Sequence, residues 1–184
     1  MQRAEMRILV TGTSGAGKTT LARQLAEKLQ LPHIELDAIN WQPGWVGLNE
    51  VDPAEFARRV QLAIAAEGWV IDGNYGGVRD AIWERATALV WLDYGREVIM
   101  PRVIQRSIRR AVDKRELWPG TGNRESWRRW LDPEHPIRWA WDTWERRRRE
   151  YAARCTEPRY AGLTLHRLRH PREAAALIRQ LASA

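Results

Sequence analysis

The chain has 184 residues, of which 44% are hydrophobic and 29% are charged, and it carries a formal net charge of +7. This length and composition predict a single globular domain, residues 1–184, and exclude a low-complexity or repeat protein. The apolar runs are far too short to span a membrane, and residues 1–6 lack the apolar stretch of a signal peptide. The single cysteine, Cys155, excludes a disulfide framework and favours a cytoplasmic location.

The first predicted elements are a strand at Arg7–Thr11 and a helix whose apolar residues begin at Leu21. The loop between them matches the phosphate-loop pattern G-x-x-x-x-G-K-[ST] at every fixed position. Its glycines let successive N–H groups point into one concavity, and the helix N-terminus adds its positive dipole end. Lys18 is the predicted catalytic cation for the β- and γ-phosphates of ATP, and the Thr19 hydroxyl is a predicted Mg²⁺ ligand. The predicted nucleotide contacts are Gly12, Thr13, Ser14, Gly15, Ala16, Gly17, Lys18, Thr19 and Thr20 of this loop, together with Arg110 farther along the chain.

A second strand is predicted at His33–Asp37, which places Asp37 at a carboxyl strand end, where open parallel sheets bind ligands. A loop with Trp41 and Trp45 follows, and their side chains can stack on a base or line an apolar pocket. The Asp-Pro pair before the next helix is a strong start signal, and Gly68 is expected to end that helix. We predict that residues 37–68, the acceptor region, bind a small phosphate acceptor; the alternative role for Asp37 is to cap the loop.

The third strand, Trp69–Asp72, is apolar and ends in an aspartate. After a phosphate loop, such a carboxylate is typically the one that holds the hydration shell of Mg²⁺, and the alternative is again a turn cap. Asn74 and Arg79 follow it and are predicted to contact the acceptor. A fourth strand is predicted at Ala88–Asp93.

Most of the remaining chain is basic. Residues 96–154 contain 16 Arg and Lys against 9 Asp and Glu, so the excess positive charge of the protein is confined to this segment. A helix is predicted over residues 96–112, and a turn-rich connection follows it. Helical signal resumes at Ser126, is interrupted at Asp132-Pro133 and His135-Pro136, and then continues to about Arg154. Such a segment faces the phosphates either of a nucleotide or of a nucleic acid.

A fifth strand at Leu163–Leu168 and a terminal helix complete the order of elements. Alternating strands and helices indicate parallel strands joined by right-handed crossovers. We therefore predict an α/β fold: a three-layer α/β/α P-loop kinase fold with a five-stranded parallel sheet. A short basic helical lid is expected at about residues 113–125, which we call the lid segment.

Together with the phosphate loop, several tryptophan-bearing stretches resemble the bacterial topology modulation proteins, which are small, adenylate-kinase-like P-loop proteins. They are Leu36-Asp37-Ala38 with Trp41 and Trp45, Trp69–Tyr75, Trp91-Leu92-Asp93, Arg115–Trp118 and Gly122–Glu125. The resemblance implies a kinase for nucleotides or small molecules. Compared with adenylate kinases, Asn74-Tyr75 stands where an aromatic-Pro-Arg sequence is expected, and Arg79 or Arg85 would replace the missing arginine. Asp37 is similar in position to an aspartate of shikimate- and gluconate-type kinases that contacts the acceptor hydroxyl, which implies a general base.

In that reaction the arginines would neutralise the moving phosphoryl group. Arg115 and Arg124 are predicted arginine fingers from the lid segment, and Arg106 and Arg110 are predicted clamps from the helix before it. Three functions fit the sequence: an ATP- and Mg²⁺-dependent kinase, an ATP-controlled nucleic-acid-binding protein, and an NTPase switch with a protein partner. No DNA-reading module is recognisable, so we expect the kinase.

Overall fold

The computed structural model describes residues 5–127, 130 and 135–183. The strands are β1 Arg7–Gly12, β2 His33–Glu35, β3 Trp41–Gln42, β4 Val46–Gly47, β5 Trp69–Asp72, β6 Ala88–Leu92 and β7 Thr164–Leu168. The α-helices are α1 Lys18–Leu29, α2 Leu36–Asn40, α3 Leu48–Val51, α4 Pro53–Ala63, α5 Gly76–Arg85, α6 Arg96–Asp113, α7 Pro136–Arg154 and α8 Arg172–Ser183. Among these described helices, none is both long and apolar enough to cross a membrane.

Five of the strands form one parallel sheet in the order β2-β5-β1-β6-β7. The central strand, β1, leads into the phosphate loop, and its Val10 is opposite Asp72 of β5. The carboxyl ends of β1, β2 and β5 therefore meet at one edge of the sheet. This arrangement confirms the predicted five-stranded parallel sheet.

Alternate residues along the strands enter two separate cores, one on each face of the sheet. Ile8 and Val10 pack with residues of α1, α6 and α8 on the first face. Leu9 packs with residues of α4 and α5 on the second face, where Trp69 and Trp91 are also buried. Burial on both faces explains why these strands are continuous apolar runs, and it confirms the three-layer prediction.

The second strand is shorter than predicted. It ends at Glu35, and Leu36 begins α2, so Asp37 lies on a helix rather than at a strand end. A helical turn places Leu36 and Asn40 on the same face, and both are 1% exposed. The predicted loop that follows is instead a small antiparallel hairpin of β3 and β4, residues 41–47.

The lid segment differs from the prediction in one respect, because residues 114–125 are not helical. An antiparallel bridge joins Glu116 to Arg124, and Gly120 and Gly122 have φ values of 85° and 68°, which a helix does not allow. Helix α7 begins at Pro136, close to the prediction, with the His135 ring accepting a hydrogen bond from the backbone of Ile137. The predicted interruption at Asp132-Pro133 lies outside the described residues.

Candidate active site

A cavity of about 1120 Å³ opens at the carboxyl ends of β1, β2 and β5. One part of its wall is the phosphate loop and the start of α1, residues 12–20. The acceptor region and the neighbouring strand ends provide another part, and basic side chains of α6 and α7 with the lid segment provide a third. Arg23 and Gln24 of α1 and Ala174 of α8 also line it. All ten predicted nucleotide contacts line it: Gly12, Thr13, Ser14, Gly15, Ala16, Gly17, Lys18, Thr19, Thr20 and Arg110.

The phosphate loop is held tightly against α6. Gly15 has a φ of 88°, and a Cβ there would lie 2.9 Å from the Cβ of Val103, so only glycine fits. Lys18 is half-buried, and its Nζ donates to the carbonyl of Thr13 at 3.3 Å. Burial lowers the pKa of Lys18, while the negative charges of Asp37 and Asp72 oppose that shift.

Asp72 is bonded to residues from two other elements. Its Oδ2 accepts a hydrogen bond from the Thr19 hydroxyl at 2.6 Å, and its Oδ1 lies 2.7 Å from His33 Nε2. Thr19 and Asp72 were predicted as metal ligands, and the structure brings them together. A hydroxyl and a carboxylate are hard oxygen ligands of the kind that Mg²⁺ prefers, so these residues fit that ion. His33 was not predicted, because its approach to Asp72 depends on the pairing of β2 with β5.

Asp37 lies in the cavity wall on α2, where its Oδ1 accepts a hydrogen bond from the Tyr75 hydroxyl at 2.6 Å. Burial, and then the charge of Asp37, raise the pKa of Tyr75, so its hydroxyl keeps the proton that it donates. The close approach of the two segments requires Gly73, which has a φ of 125° and whose Cβ position lies 2.6 Å from the Cβ of Leu36. Tyr75 therefore fixes the orientation of the Asp37 carboxylate.

Trp41 and Trp45 both line the cavity, as predicted for acceptor contacts, and a third ring from the lid segment joins them. Trp118 stacks on Trp41 with centroids 6.0 Å apart, and it meets Trp45 edge to face at 5.9 Å. Its Nε1 also donates to Glu35 at 3.3 Å. We call Trp41, Trp45 and Trp118 the tryptophan cluster. No local sequence pattern indicates this contact, because Trp118 lies more than 70 residues along the chain from Trp41 and Trp45.

The lid segment is bonded to the hairpin of residues 41–47 through one side chain. Asn123 is 2% exposed; its Oδ1 accepts from the backbone N–H of Trp45 at 2.9 Å, and its Nδ2 donates to the carbonyl of Gln42 at 2.9 Å. Trp45 has a φ of 64°, an uncommon value for a residue other than glycine. Asn123 thus holds both the hairpin and its strained turn.

Arg106 is the predicted clamp that reaches the phosphate loop. Its Nη2 donates to the Ser14 hydroxyl at 3.2 Å, and burial, with the charge of Arg110 next, lowers the pKa of Arg106 to about 10. Arg110 also lines the cavity, as does Arg147 of α7, for which no role was predicted. Several guanidinium groups therefore face the place where the phosphates of a bound nucleotide would lie.

Three predicted site residues lie away from the main cavity in this conformation. Arg115 and Arg124 are exposed and are not part of its wall, so their role as arginine fingers stays a prediction. Arg79 donates through Nε to Asn74 Oδ1 at 3.1 Å and lines a small pocket beneath the site. Asn74 itself does line the main cavity.

Comparisons with known proteins agree with this geometry. A family model described as "AAA domain" matches residues 8–116, which include the phosphate loop, Asp37 and Asp72. A shikimate kinase from Rhodopirellula baltica is 30% identical over 113 residues, which are 52% of this chain and 58% of that protein. A putative adenylate kinase from Pyrococcus furiosus is 37% identical over 73 residues, which are 38% of this chain and 41% of that protein. The chain thus spans only about half the length of these relatives.

Solved structures share the fold. A gluconokinase from Sinorhizobium meliloti 1021 superposes with a TM-score of 0.52 at 21% identity, over 98% of this chain and 95% of that one. A shikimate kinase from Acinetobacter baumannii in complex with shikimate gives a TM-score of 0.53 at 19% identity, over 95% of this chain and 89% of that one. At such identities the likeness establishes the three-layer fold alone.

Proposed function

The chain belongs to the AAA domain family, and we propose that it is a kinase that transfers the γ-phosphate of Mg²⁺-bound ATP to the hydroxyl group of a small acceptor. One observation carries the proposal. The cavity that contains Lys18, Asp72 and Arg106 also contains Asp37, a carboxylate that a neutral tyrosine orients. A nucleotide hydrolase needs the first three groups, whereas the position of Asp37 beside the tryptophan cluster suits a second substrate. The kinase relatives support the same conclusion.

The chemistry assigned to each residue follows from charge. Lys18 and the N–H groups of the phosphate loop would bind the β- and γ-phosphates, and Arg106 would neutralise charge on the transferred group. Thr19 and Asp72 would hold Mg²⁺, which when bound neutralises phosphate charge. Asp37 would accept the proton of the acceptor hydroxyl as its oxygen attacks the γ-phosphorus. The new P–O bond forms while the bond from that phosphorus to the β,γ-bridging oxygen breaks, and its electron pair leaves with ADP.

The resemblance to topology modulation proteins and the basic segment 96–154 support a second proposal, ATP-controlled binding of nucleic acid. The positions of the arginines favour the kinase. Arg102, Arg106, Arg109, Arg110 and Arg147 line the cavity. Others are paired with carboxylates, among them Arg148 with the buried Asp93 and Arg154 with Asp80. Much of the positive charge is therefore directed at the nucleotide site or neutralised.

The proposal is tested by measuring ADP release from Mg²⁺-ATP with and without a panel of nucleosides, nucleotides, sugars, hydroxy acids and amino alcohols. We expect at least one acceptor to raise the rate by about two orders of magnitude above hydrolysis, because a held hydroxyl gains a large effective concentration over water. Lys18→Ala should abolish the stimulated rate. Hydrolysis that no acceptor class changes would contradict a kinase and favour an NTPase switch.

A further inference from the structure

We propose that the acceptor is a small hydroxyl compound that carries a positive charge, such as an amino alcohol, and that the site rejects carboxylic acids and nucleoside monophosphates. This inference rests on the proposed kinase function and names the substrate class of that same site. It follows from the charges, the aromatic wall and the buried polar groups on the acceptor side of the cavity.

The acceptor region offers no cation to the cavity. Its only basic residues, Arg58 and Arg59 of α4, bond to Glu55 at 2.6 and 2.8 Å, with side chains 61% and 43% exposed. Neither is part of the cavity wall. The nearby Arg79 is held by Asn74 and lines the small pocket instead. An anionic acceptor that enters the cavity would therefore lose its hydration, and no basic side chain of the acceptor region would replace it.

Carboxylates take the place of those cations. Glu35, Asp37 and Glu50 line the cavity on this side. Arg23 of α1 also lines the cavity and its Nη2 lies 3.8 Å from Glu35 Oε2, but its side chain is 68% exposed. Burial, and then the charge of Asp72, raise the pKa of Glu35. The ionised form of Glu35 therefore has an unfavourable free energy in the site without a ligand. A ligand cation would offset that cost, whereas a carboxylate or a phosphate would increase it.

The tryptophan cluster adds a surface that binds cations. Indole faces attract ammonium groups through their quadrupole, and the three rings border the same cavity as Glu35 and Glu50. Trp118 donates directly to Glu35, which fixes this carboxylate at the edge of the aromatic wall. Carboxylates beside indole rings form a site typical for an ammonium group.

One buried polar group indicates where the acceptor hydroxyl would lie. Asn40 is 1% exposed and lines the cavity, and its Nδ2 lies near the Tyr75 hydroxyl without a hydrogen bond of adequate geometry. Asn40 follows Asp37 by three residues on α2, so the two side chains share one face of that helix. A ligand hydroxyl between them would give its proton to Asp37 and accept a hydrogen bond from Asn40.

The charge preference is tested with three compounds that share a phenyl ring and a hydroxyl group: 2-amino-1-phenylethanol, 1-phenylethane-1,2-diol and mandelate, which are cationic, neutral and anionic. Calorimetry would measure their dissociation constants with Mg²⁺ and a non-hydrolysable ATP analogue, and ADP release would measure transfer. We expect the amine to bind at least about tenfold more tightly than the diol, the size of one ion pair with a cation–π contact, and mandelate to bind most weakly.

Two matched variants test whether the preference for the cationic compound arises from carboxylates of the cavity. Glu50→Gln removes a carboxylate that lines the site and should reduce the amine-to-diol affinity ratio about threefold or more. Glu55→Gln, on the outer face of the same region, should leave this ratio unchanged.

Failure of the amine to bind, equal affinity for amine and diol, or tighter binding of mandelate would overturn the inference, even if other acceptors showed the protein to be a kinase. An amine preference in binding without stimulated ADP release by any compound would overturn the proposed function and leave the charge selectivity of the cavity standing.

Discussion

At the scale of single residues, phosphoryl transfer depends on which arginines reach the transferred group. Arg106 bonds to Ser14 of the phosphate loop, whereas Arg124 is exposed on the lid segment. We expect Arg106→Ala to lower kcat by about 10²- to 10³-fold, the usual cost of removing one group that stabilises developing charge. Steady-state kinetics with a stimulating acceptor would measure this loss.

Arg124→Ala tests the lid prediction in the same assay. If closure brings Arg124 to the phosphates, its loss should lower kcat while the dissociation constant of ATP stays unchanged. Arg138, which pairs with Asp142 on the outside of α7, is the control, and Arg138→Ala should leave kcat as it was. A kcat for Arg124→Ala equal to that of the control would remove the arginine-finger role.

Glu35 provides a prediction on pH. Because burial raises its pKa, the folded protein binds this proton more tightly than the unfolded chain does, and folding gains stability as the pH falls through the folded-state pKa. At neutral pH the ionised carboxylate is a cost. Glu35→Gln should therefore raise the melting temperature at pH 7, and the gain should shrink towards pH 4, where the wild-type residue is protonated. Thermal melts across this range would measure it, and a gain that is constant with pH would contradict the assignment.

At the scale of elements, Asn123 joins the lid segment to the hairpin of residues 41–47. Asn123→Ala removes the hydrogen bonds that its side chain makes with the Trp45 N–H and the Gln42 carbonyl, at a local cost of about 2 kcal/mol or more. We expect the Trp45 amide to exchange with solvent at least about tenfold faster in this variant. Hydrogen exchange would measure the change. Asn123→Asp keeps the acceptor for Trp45 and should show a smaller effect; equal exchange in all three proteins would mean that the side chain does not hold the hairpin.

The elements differ in how far the sequence alone could predict them. The phosphate loop and the start of α4 depend on local patterns, and the structure has the Asp52 cap bonded to the Glu55 backbone as expected. The end of β2 was misplaced because an apolar residue at Leu36 fits a strand and a helix equally well, and only its packing against Gly73 decides. Short apolar runs carry this ambiguity in general.

The candidate site was predicted where its residues belong to the motif, follow a strand, or lie in the tryptophan-bearing loop and on the basic helix. Asp37 and Asp72 could be found in this way. The partners that orient them could not, because Tyr75 is 38 residues from Asp37, and His33 is 39 residues from Asp72. Such contacts depend on strand order and loop packing, which no local pattern contains.

At the scale of the whole molecule, charge is divided across one cavity. Basic side chains of α6 and α7 line the cavity with the phosphate loop, and Glu35, Asp37 and Glu50 line it with the acceptor region, where the exposed Arg23 lies 3.8 Å from Glu35. The sequence showed that the excess positive charge belongs to residues 96–154, but it left nucleotide and nucleic acid as alternative partners. Five of these arginines, Arg102, Arg106, Arg109, Arg110 and Arg147, line the same cavity as the phosphate loop, and for that reason we propose the nucleotide.

The most direct test of the central claim is to identify the product of the acceptor that gives the highest ADP release. Mass spectrometry would follow that acceptor during turnover with Mg²⁺-ATP, while ADP is quantified in the same samples. We expect the acceptor to gain one phosphoryl group on a hydroxyl oxygen, in a one-to-one ratio with ADP, and Lys18→Ala to form no such product. ADP that accumulates with free phosphate and an unmodified acceptor would contradict this expectation.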